Sequence, residues 1–502
     1  MNLTLLILIP LLTAIVILTC KNLQSVRWVA FIGSIIQLGL SGWLLYAYNL
    51  ERALEQGERA QMLFVERHSW YSALNIEYYI GVDGISIAMI LLTAFVVAAG
   101  VLISWKMEKL TKEFFFLLML LSVGAYGFFI SLDLFTMFFF LEIAVIPKFL
   151  LIGIWGSGKK EYSAMKLALM LMGGSALVLI GILGVYYNTN DGFGHHTFDI
   201  LKISQQHIPV SLQTYFFPIL FTGFGVFTAM FPFHTWAPDG HSSAPTAASM
   251  FLAGISMKLG GYGCLRVAMY LMPEGAHMYS WAIILVATIA IIYGAFATLM
   301  QKDLKYINAY SSVSHCGFVL LGIGMMTHTA FVGAVMQMVS HGLMTALFFA
   351  AIGMMYERTH TRQVAQLGGL LKVMPFIGVI FVIAGLCSLG LPGLSGFAAE
   401  MTVFMGSWQN PEMWHRLATI LACASIVVTA VYILRAAGSS VMGPIKNEEF
   451  RKLTDAKWNE KLASVLLLVA ILAIGMTPFW LIDLVGPDSQ IIMDHLSKTG
   501  GL

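Results

Sequence analysis

Eight side chains able to hold or pass a proton stand in otherwise apolar sequence: Glu142, Lys148, Lys258 and Glu400, with His234, His241, His315 and His341. An ionisable group at the centre of a membrane helix costs about 2.5–3.5 kcal/mol on insertion scales, so such groups persist where they face a wet or paired interior. Histidine changes charge near neutral pH and suits relaying protons between carboxylates and lysines. A bland alternative exists for each residue. Lys148 is near enough to its helix end to snorkel. Glu400 follows a helix break and could satisfy freed backbone donors. Glu142 and Lys258 could be structural pairs, and any one histidine could be a satisfied core residue. Taken together, the set points to proton transfer.

The elements that must position these groups are membrane helices. Over 502 residues, 58% are hydrophobic and only 11% charged, with a mean hydropathy of +0.81. A soluble chain carries roughly a quarter charged residues, so lipid must cover most of this surface. A net charge of +2 gives no reason to expect nucleic acid as a partner. A span needs about 20 mostly apolar residues. Such runs centre near 3–19, 27–48, 84–104, 114–131, 133–155, 163–187, 212–237, 245–270, 280–300, 306–326, 329–355, 373–407, 416–437 and 462–485. The expectation is an all-α integral membrane protein of about fourteen transmembrane helices. The apolar N-terminal run has no basic residue before it, so it reads as the first span and not as a secretory signal.

Loop charges set the orientation, because short cytoplasmic loops collect Lys and Arg. Loops after odd-numbered spans hold about nineteen, from Lys21 to Lys461, with Lys302 and Lys305 among them; the other side holds about six. Both termini are therefore expected on the outer side. The longest outer loops, near 49–83 and 188–211, leave no room for a soluble domain.

Two spans are broken by composition, at Phe231-Pro-Phe-His-Thr-Trp-Ala-Pro-Asp239 in the seventh and Leu389-Gly-Leu-Pro-Gly-Leu-Ser-Gly396 in the twelfth. Irregular backbone at membrane depth is tolerated where it lines protein or a watery cavity. Breaks about five helices apart fit two inverted five-helix repeats with an ion site near the midplane. The parts expected are residues 1–112 (spans 1–3), 113–270 (4–8), 280–437 (9–13) and 438–502 (span 14 and the C-terminus). Five scattered cysteines (Cys20, Cys264, Cys316, Cys387, Cys423) show no metal or redox spacing and read as small buried hydrophobes.

Long motifs then carry a resemblance. Gln301-Lys-Asp-Leu-Lys-Tyr-Ile-Asn-Ala-Tyr-Ser-Ser-Val-Ser-His-Cys-Gly-Phe318, His234-x-Trp-x-Pro-Asp-x-His-Ser-x-Ala-Pro-Thr246, Leu252-Ala-Gly-x-x-x-Lys258 and Ser340-His-Gly-Leu343 resemble the antiporter-like membrane subunits of respiratory complex I. Tyr356-Glu-Arg-Thr-His-Thr-Arg362 is similar to the loop after helix 11 of the M type. Glu400 stands where the L and N types place a lysine, and the chain ends without the long lateral helix of the L type. The resemblance implies that Glu142, Lys258 and Glu400 are the ionisable groups of helices 5, 8 and 12, with His234, His241, His315 and His341 along a polar axis. It implies a bacterial inner-membrane location and membrane-arm partners, especially L-type and N-type subunits. NADH oxidation and quinone reduction are expected on other subunits, which would hold flavin, iron–sulfur clusters and quinone, with no cofactor or metal on this chain. Translocation of protons would be its share of the work.

One departure from the family stands out. Its helix 7 lysine, seven residues before the histidine matched by His234, is replaced by Phe227, while Lys148 occupies a usually apolar place after Pro147. Six helical residues turn about 600°, leaving Lys148 roughly 120° around the helix from Glu142 and about 9 Å along it. The pair is poorly placed for direct contact. Lys148 is better placed to point into the space of the missing lysine. Two other readings stay open: a subunit of a multisubunit cation/proton antiporter, and a structural subunit that pumps nothing.

Overall fold

The computed structural model describes residues 2–55, 59–192 and 194–499. The chain opens with α1 (Leu5–Thr19) and α2 (Leu23–Leu54), then a hairpin of β1 (Leu63–Tyr71) and β2 (Ile76–Val82), then α3 (Gly84–Ile103) and α4 (Thr111–Ile130). Next come α5 (Leu134–Trp155), α6 (Lys160–Tyr187), the short α7 (Ile200–Ser204), α8 (Val210–Phe227), α9 (Trp236–Ser243), α10 (Thr246–Phe251) and α11 (Met257–Gly263). The rest comprises α12 (Pro273–Leu299), α13 (Leu304–Gly324), α14 (His328–Thr359), α15 (Pro375–Ser388), α16 (Ser395–Gln409), α17 (Met413–Ser440), α18 (Trp458–Met476) and α19 (Phe479–Thr499).

Among the described residues, ten helices are long and apolar enough to cross a membrane: α2 to α6, α8, α12, α14, α17 and α18. The apolar α1 and α15 are shorter. The fourteen apolar runs are thus not fourteen long helices. The eighth run is a helix interrupted by π turns at Leu252–Ser256 and Cys264–Met269. The tenth, α13, is rich in Ser, Asn and Tyr, and the twelfth is two helices. The run at 462–485 also divides, because Pro478 cannot continue α18 and a separate helix, α19, follows.

Packing sets α14 at the centre. Its whole apolar window is buried, and nearly nine-tenths of that of α3, against a third for α2. α14 touches α3, α10, α13, α15, α16, α18 and α19. Entry into several helices is secured by side-chain caps, which accept otherwise unpaired backbone N–H groups: Asp83 from Ser86, Asp133 from Thr136, Asp303 from Lys305 and Thr327 from Ala330.

The chain is mostly helical, as expected. The loop between α2 and α3 adds a small antiparallel β1–β2 hairpin, because its Val, Tyr, Trp and Ile side chains fit a pleated surface and Asn75 turns the chain at φ 54°, where Asn is tolerated.

Candidate functional site

Lys258 lies just beyond the first π turn of its helix. In a π turn the hydrogen-bond ladder slips by one residue, a distortion frequent at functional sites. The Lys258 ammonium donates to the Ala253 carbonyl and contacts His341 Nδ1 at 2.7 Å. The helix carrying it comes close to α14, since a Cβ on Gly254 would lie 3.3 Å from the Gly342 carbonyl.

From His341 the contacts continue. Its ring stacks on His315 at 5.2 Å between centroids, with 29° between planes. His315 Nδ1 lies 3.3 Å from Glu400 Oε1, and its Nε2 meets the Ser388 hydroxyl at 3.0 Å. Gln337 donates to the same His315 Nδ1 at 3.3 Å. Lys258, His341, His315 and Glu400 thus form one buried row, each at most 4% exposed. Its members come from α11, α14, α13 and α16, brought together from distant parts of the chain.

The break between α15 and α16 supports the far end. Ser388 closes α15 and Ser395 opens α16; Ser395 accepts from Ser340 at 2.8 Å. Gly390 has φ +76°, and a Cβ there would lie 2.7 Å from Glu400 Oε2; a Cβ on Gly396 would come within 2.0 Å of the Cys387 carbonyl. A side chain at Gly390 would press on the carboxylate and one at Gly396 on the end of α15, so both places need glycine. Replacing Gly396 by alanine is expected to destabilise the protein by about 1–3 kcal/mol, the usual cost of overpacking. Thermal unfolding of the detergent-solubilised complex measures this, and an unchanged midpoint would refute it.

The other break falls slightly earlier than the sequence suggests, between Phe227 and Trp236, and Trp236-Ala-Pro-Asp239 is helical again in α9. The Trp236 indole N–H donates at 2.9 Å to the Val226 carbonyl, which also accepts from Ala229. His241 sits in α9, wholly buried, and neither ring nitrogen has a hydrogen-bond partner. His234 lies outside the row, stacked on Phe231 and set edge-on to Tyr293 at 4.9 Å.

Glu142 and Lys148 also stay outside the row. Lys148 is 0% exposed, so its ammonium does not reach the headgroups. No hydrogen-bond partner meets its Nζ or Glu142 Oε1. The ammonium lies 6.0 Å from the centroid of the Phe227 ring, at the edge of cation–π range.

Three groups escaped the sequence reading. Lys305, counted as a loop charge, is 3% exposed and donates to the Ala244 carbonyl at 2.7 Å. Arg266, near the end of the eighth run, is buried in an ion pair with Asp83. Asp239 accepts from Lys166 at 2.7 Å and from Tyr306 at 3.2 Å. The available signal for Arg266 was arithmetic: 28 Lys and Arg exceed those placed in loops and at Lys148 and Lys258 by one.

Residues 131–426 match the family model described as NADH:quinone oxidoreductase/Mrp antiporter, TM. NADH-quinone oxidoreductase subunit M of Rickettsia bellii is 36% identical over 418 residues, covering 83% of each chain. NAD(P)H-quinone oxidoreductase chain 4 3 of Picosynechococcus is 36% identical over 437 residues, covering 86% of this chain and 78% of its own. Among solved structures, respiratory complex I from Thermus thermophilus with bound NADH contains a chain that superposes with a TM-score of 0.88 at 23% identity, over 98% of this chain and 99% of that one. A chain of the Mrp complex from Dietzia gives 0.84 at 18%, over 98% and 97%. Those two likenesses establish the fold, and the family match together with the extent of identity to the quinone oxidoreductase subunits establishes the membership: this multi-pass membrane chain belongs to the NADH:quinone oxidoreductase/Mrp antiporter family.

Proposed function

We propose that this chain is the M-type proton-translocating subunit in the membrane arm of a respiratory NADH:quinone oxidoreductase. The observation that carries the reading is the buried row Lys258–His341–His315–Glu400, joined by a hydrogen bond, a ring stack and a close carboxylate contact. In that row an ammonium gives a proton to the His341 imidazole, a water carries one from the unpartnered His341 Nε2 to His315, and Glu400 takes it toward the outer side. Each neighbour accepts what the last one releases, so a unit of charge moves without long-lived separation. Electron transfer belongs to other subunits, where flavin, iron–sulfur clusters and quinone would sit. Partners of the L and N types would adjoin this chain in a bacterial inner membrane, with both termini on the outer side. The relatives named as quinone oxidoreductase subunits favour this reading over a cation/proton antiporter. The buried contacts favour it over a subunit that only fills space.

The test is Glu400→Gln in the assembled complex, reconstituted into liposomes. It keeps the shape and removes the titratable carboxyl. The rate of NADH-driven proton uptake is expected to fall roughly ten-fold, equivalent to about 1.4 kcal/mol on the barrier. Glu400→Lys is expected to retain part of the activity. Full pumping by Glu400→Gln would make the residue structural and remove the outer end of the row.

A further inference from the structure

We propose that Lys305 is the inner-side loading residue that takes protons from a polar cavity and passes them to His241, which supplies Lys258. This step rests on the proton-carrier reading above.

Lys305 stands in the first turn of α13, on the basic side of the protein, where a lysine ordinarily reaches into water. Here it is buried, and its ammonium donates to the Ala244 carbonyl at the end of α9. The nearby carboxylates are already engaged. Asp303 pairs with Arg362 at 3.2 Å, and Asp239 with Lys166 at 2.7 Å. Among the described residues no carboxylate lies within ion-pair range of the Lys305 ammonium. A buried lysine of this kind changes protonation readily, which is how lysines become proton carriers.

Both sides of Lys305 fit that use. Toward the inner face lies a polar cavity of about 610 Å³, whose lining includes Asp239, Ser242, Ser243, Tyr306 and Arg362. Tyr306 is the next residue after Lys305, and Ser243 precedes the carbonyl that Lys305 holds. Toward the interior lies His241, three residues before Ala244, with both nitrogens unpartnered. α9, which carries His241, packs against α13, which carries Lys305. In the step, an N–H bond of the Lys305 ammonium breaks and an N–H bond forms on a His241 nitrogen. The products are a neutral amine and an imidazolium. No direct hydrogen bond joins the two, so a water carries the proton between them, and the amine is recharged from the cavity.

The rival role is a tether, with Lys305 merely holding α9 to α13 through Ala244. Lys305→Arg separates the two, because a guanidinium keeps the charge and the donor but does not release its proton. In the reconstituted complex, Lys305→Arg is expected to slow coupled turnover about ten-fold and to raise the solvent deuterium isotope effect. Lys305→His is expected to restore turnover near about pH 6 and to lose it above about pH 7.5, as imidazole deprotonates. The charged and titratable groups around this position are His241, Asp303, Arg362, Asp239, Lys166 and Tyr306, and none of these is changed by the variants. Wild-type turnover and isotope effect in Lys305→Arg would overturn the loading role. Where arginine prevents assembly, Lys305→His with a wild-type pH profile would overturn it equally. Lys258→Met is run beside them. If it also pumps normally, the proton-carrier reading itself fails; if it is dead while Lys305→Arg is normal, only the loading step fails.

Discussion

Lys258→Met is expected to leave the complex assembled and to abolish at least nine-tenths of its coupled quinone reduction and proton uptake. The substitution keeps length and apolar volume. Exchanging a buried charge for a well-packed apolar group is often neutral for folding. What disappears is the donor at the head of the row, the ammonium that touches both the Ala253 carbonyl and His341 Nδ1. Without it, His341 has no proton source on the α11 side, and the stacked imidazoles have nothing to pass on to Glu400. The neighbours of the Lys258 ammonium are a carbonyl and an imidazole, and no carboxylate lies within ion-pair range among the described residues, so no ion pair holds its proton. The measurement is NADH-driven acidification of liposomes holding the variant complex, with native gels to establish assembly. Normal acidification would remove Lys258 from the path.

The second large effect is expected at Lys148. Lys148→Met should reduce pumping about ten-fold, and Phe227→Lys in the same chain should return part of the loss. The family resemblance places a lysine at the position of Phe227, and the only ammonium facing that ring among the described residues is Lys148, 6.0 Å from its centroid. The next residue along, Thr228, packs directly on Gly260, where a Cβ would come within 2.4 Å of the Thr228 nitrogen. Gly260 lies two residues beyond Lys258. The Phe227–Thr228 corner therefore connects the Lys148 side of the protein with the helix that carries Lys258. Glu142 is only partly buried and makes no ion pair with Lys148, so the loss is expected in pumping and not in assembly. If Lys148→Met is silent, the residue is a passenger. If Phe227→Lys restores nothing, the two positions do not share a proton site.

The two variants differ in what the sequence alone could offer. For Lys258 and Glu400, type and depth within apolar runs were enough to mark them. Their partners were named as candidates, but the order of contacts was not. Lys258 and His341 are 83 residues apart, and whether they touch depends on how two helices rotate and approach. A hydropathy pattern carries no such information. For Lys148, helical geometry indicated that it would not meet Glu142 directly, and no ion pair joins them. Its full burial was not legible against snorkelling in the sequence; the folded protein leaves it 0% exposed.

Residue composition by itself determined that the chain is a helical membrane protein, where its apolar runs fall, which loops are basic and where two helices must break. These follow from transfer free energies and backbone limits that each segment carries alone. Tertiary structure decided the rest. It buried Lys305, which its position in the chain assigned to a loop, because the C-terminal end of α9 folds over it. It paired Arg266 with Asp83 across the helix packing, and it divided the last apolar run at Pro478. It also separated the eight candidate side chains into a row of four, a His241 with no hydrogen-bond partner, an outlying His234, and Glu142 and Lys148 apart from one another. Contacts of this kind arise where helices from distant parts of the chain meet around α14, and an ionisable side chain acquires its partner only when that packing is complete.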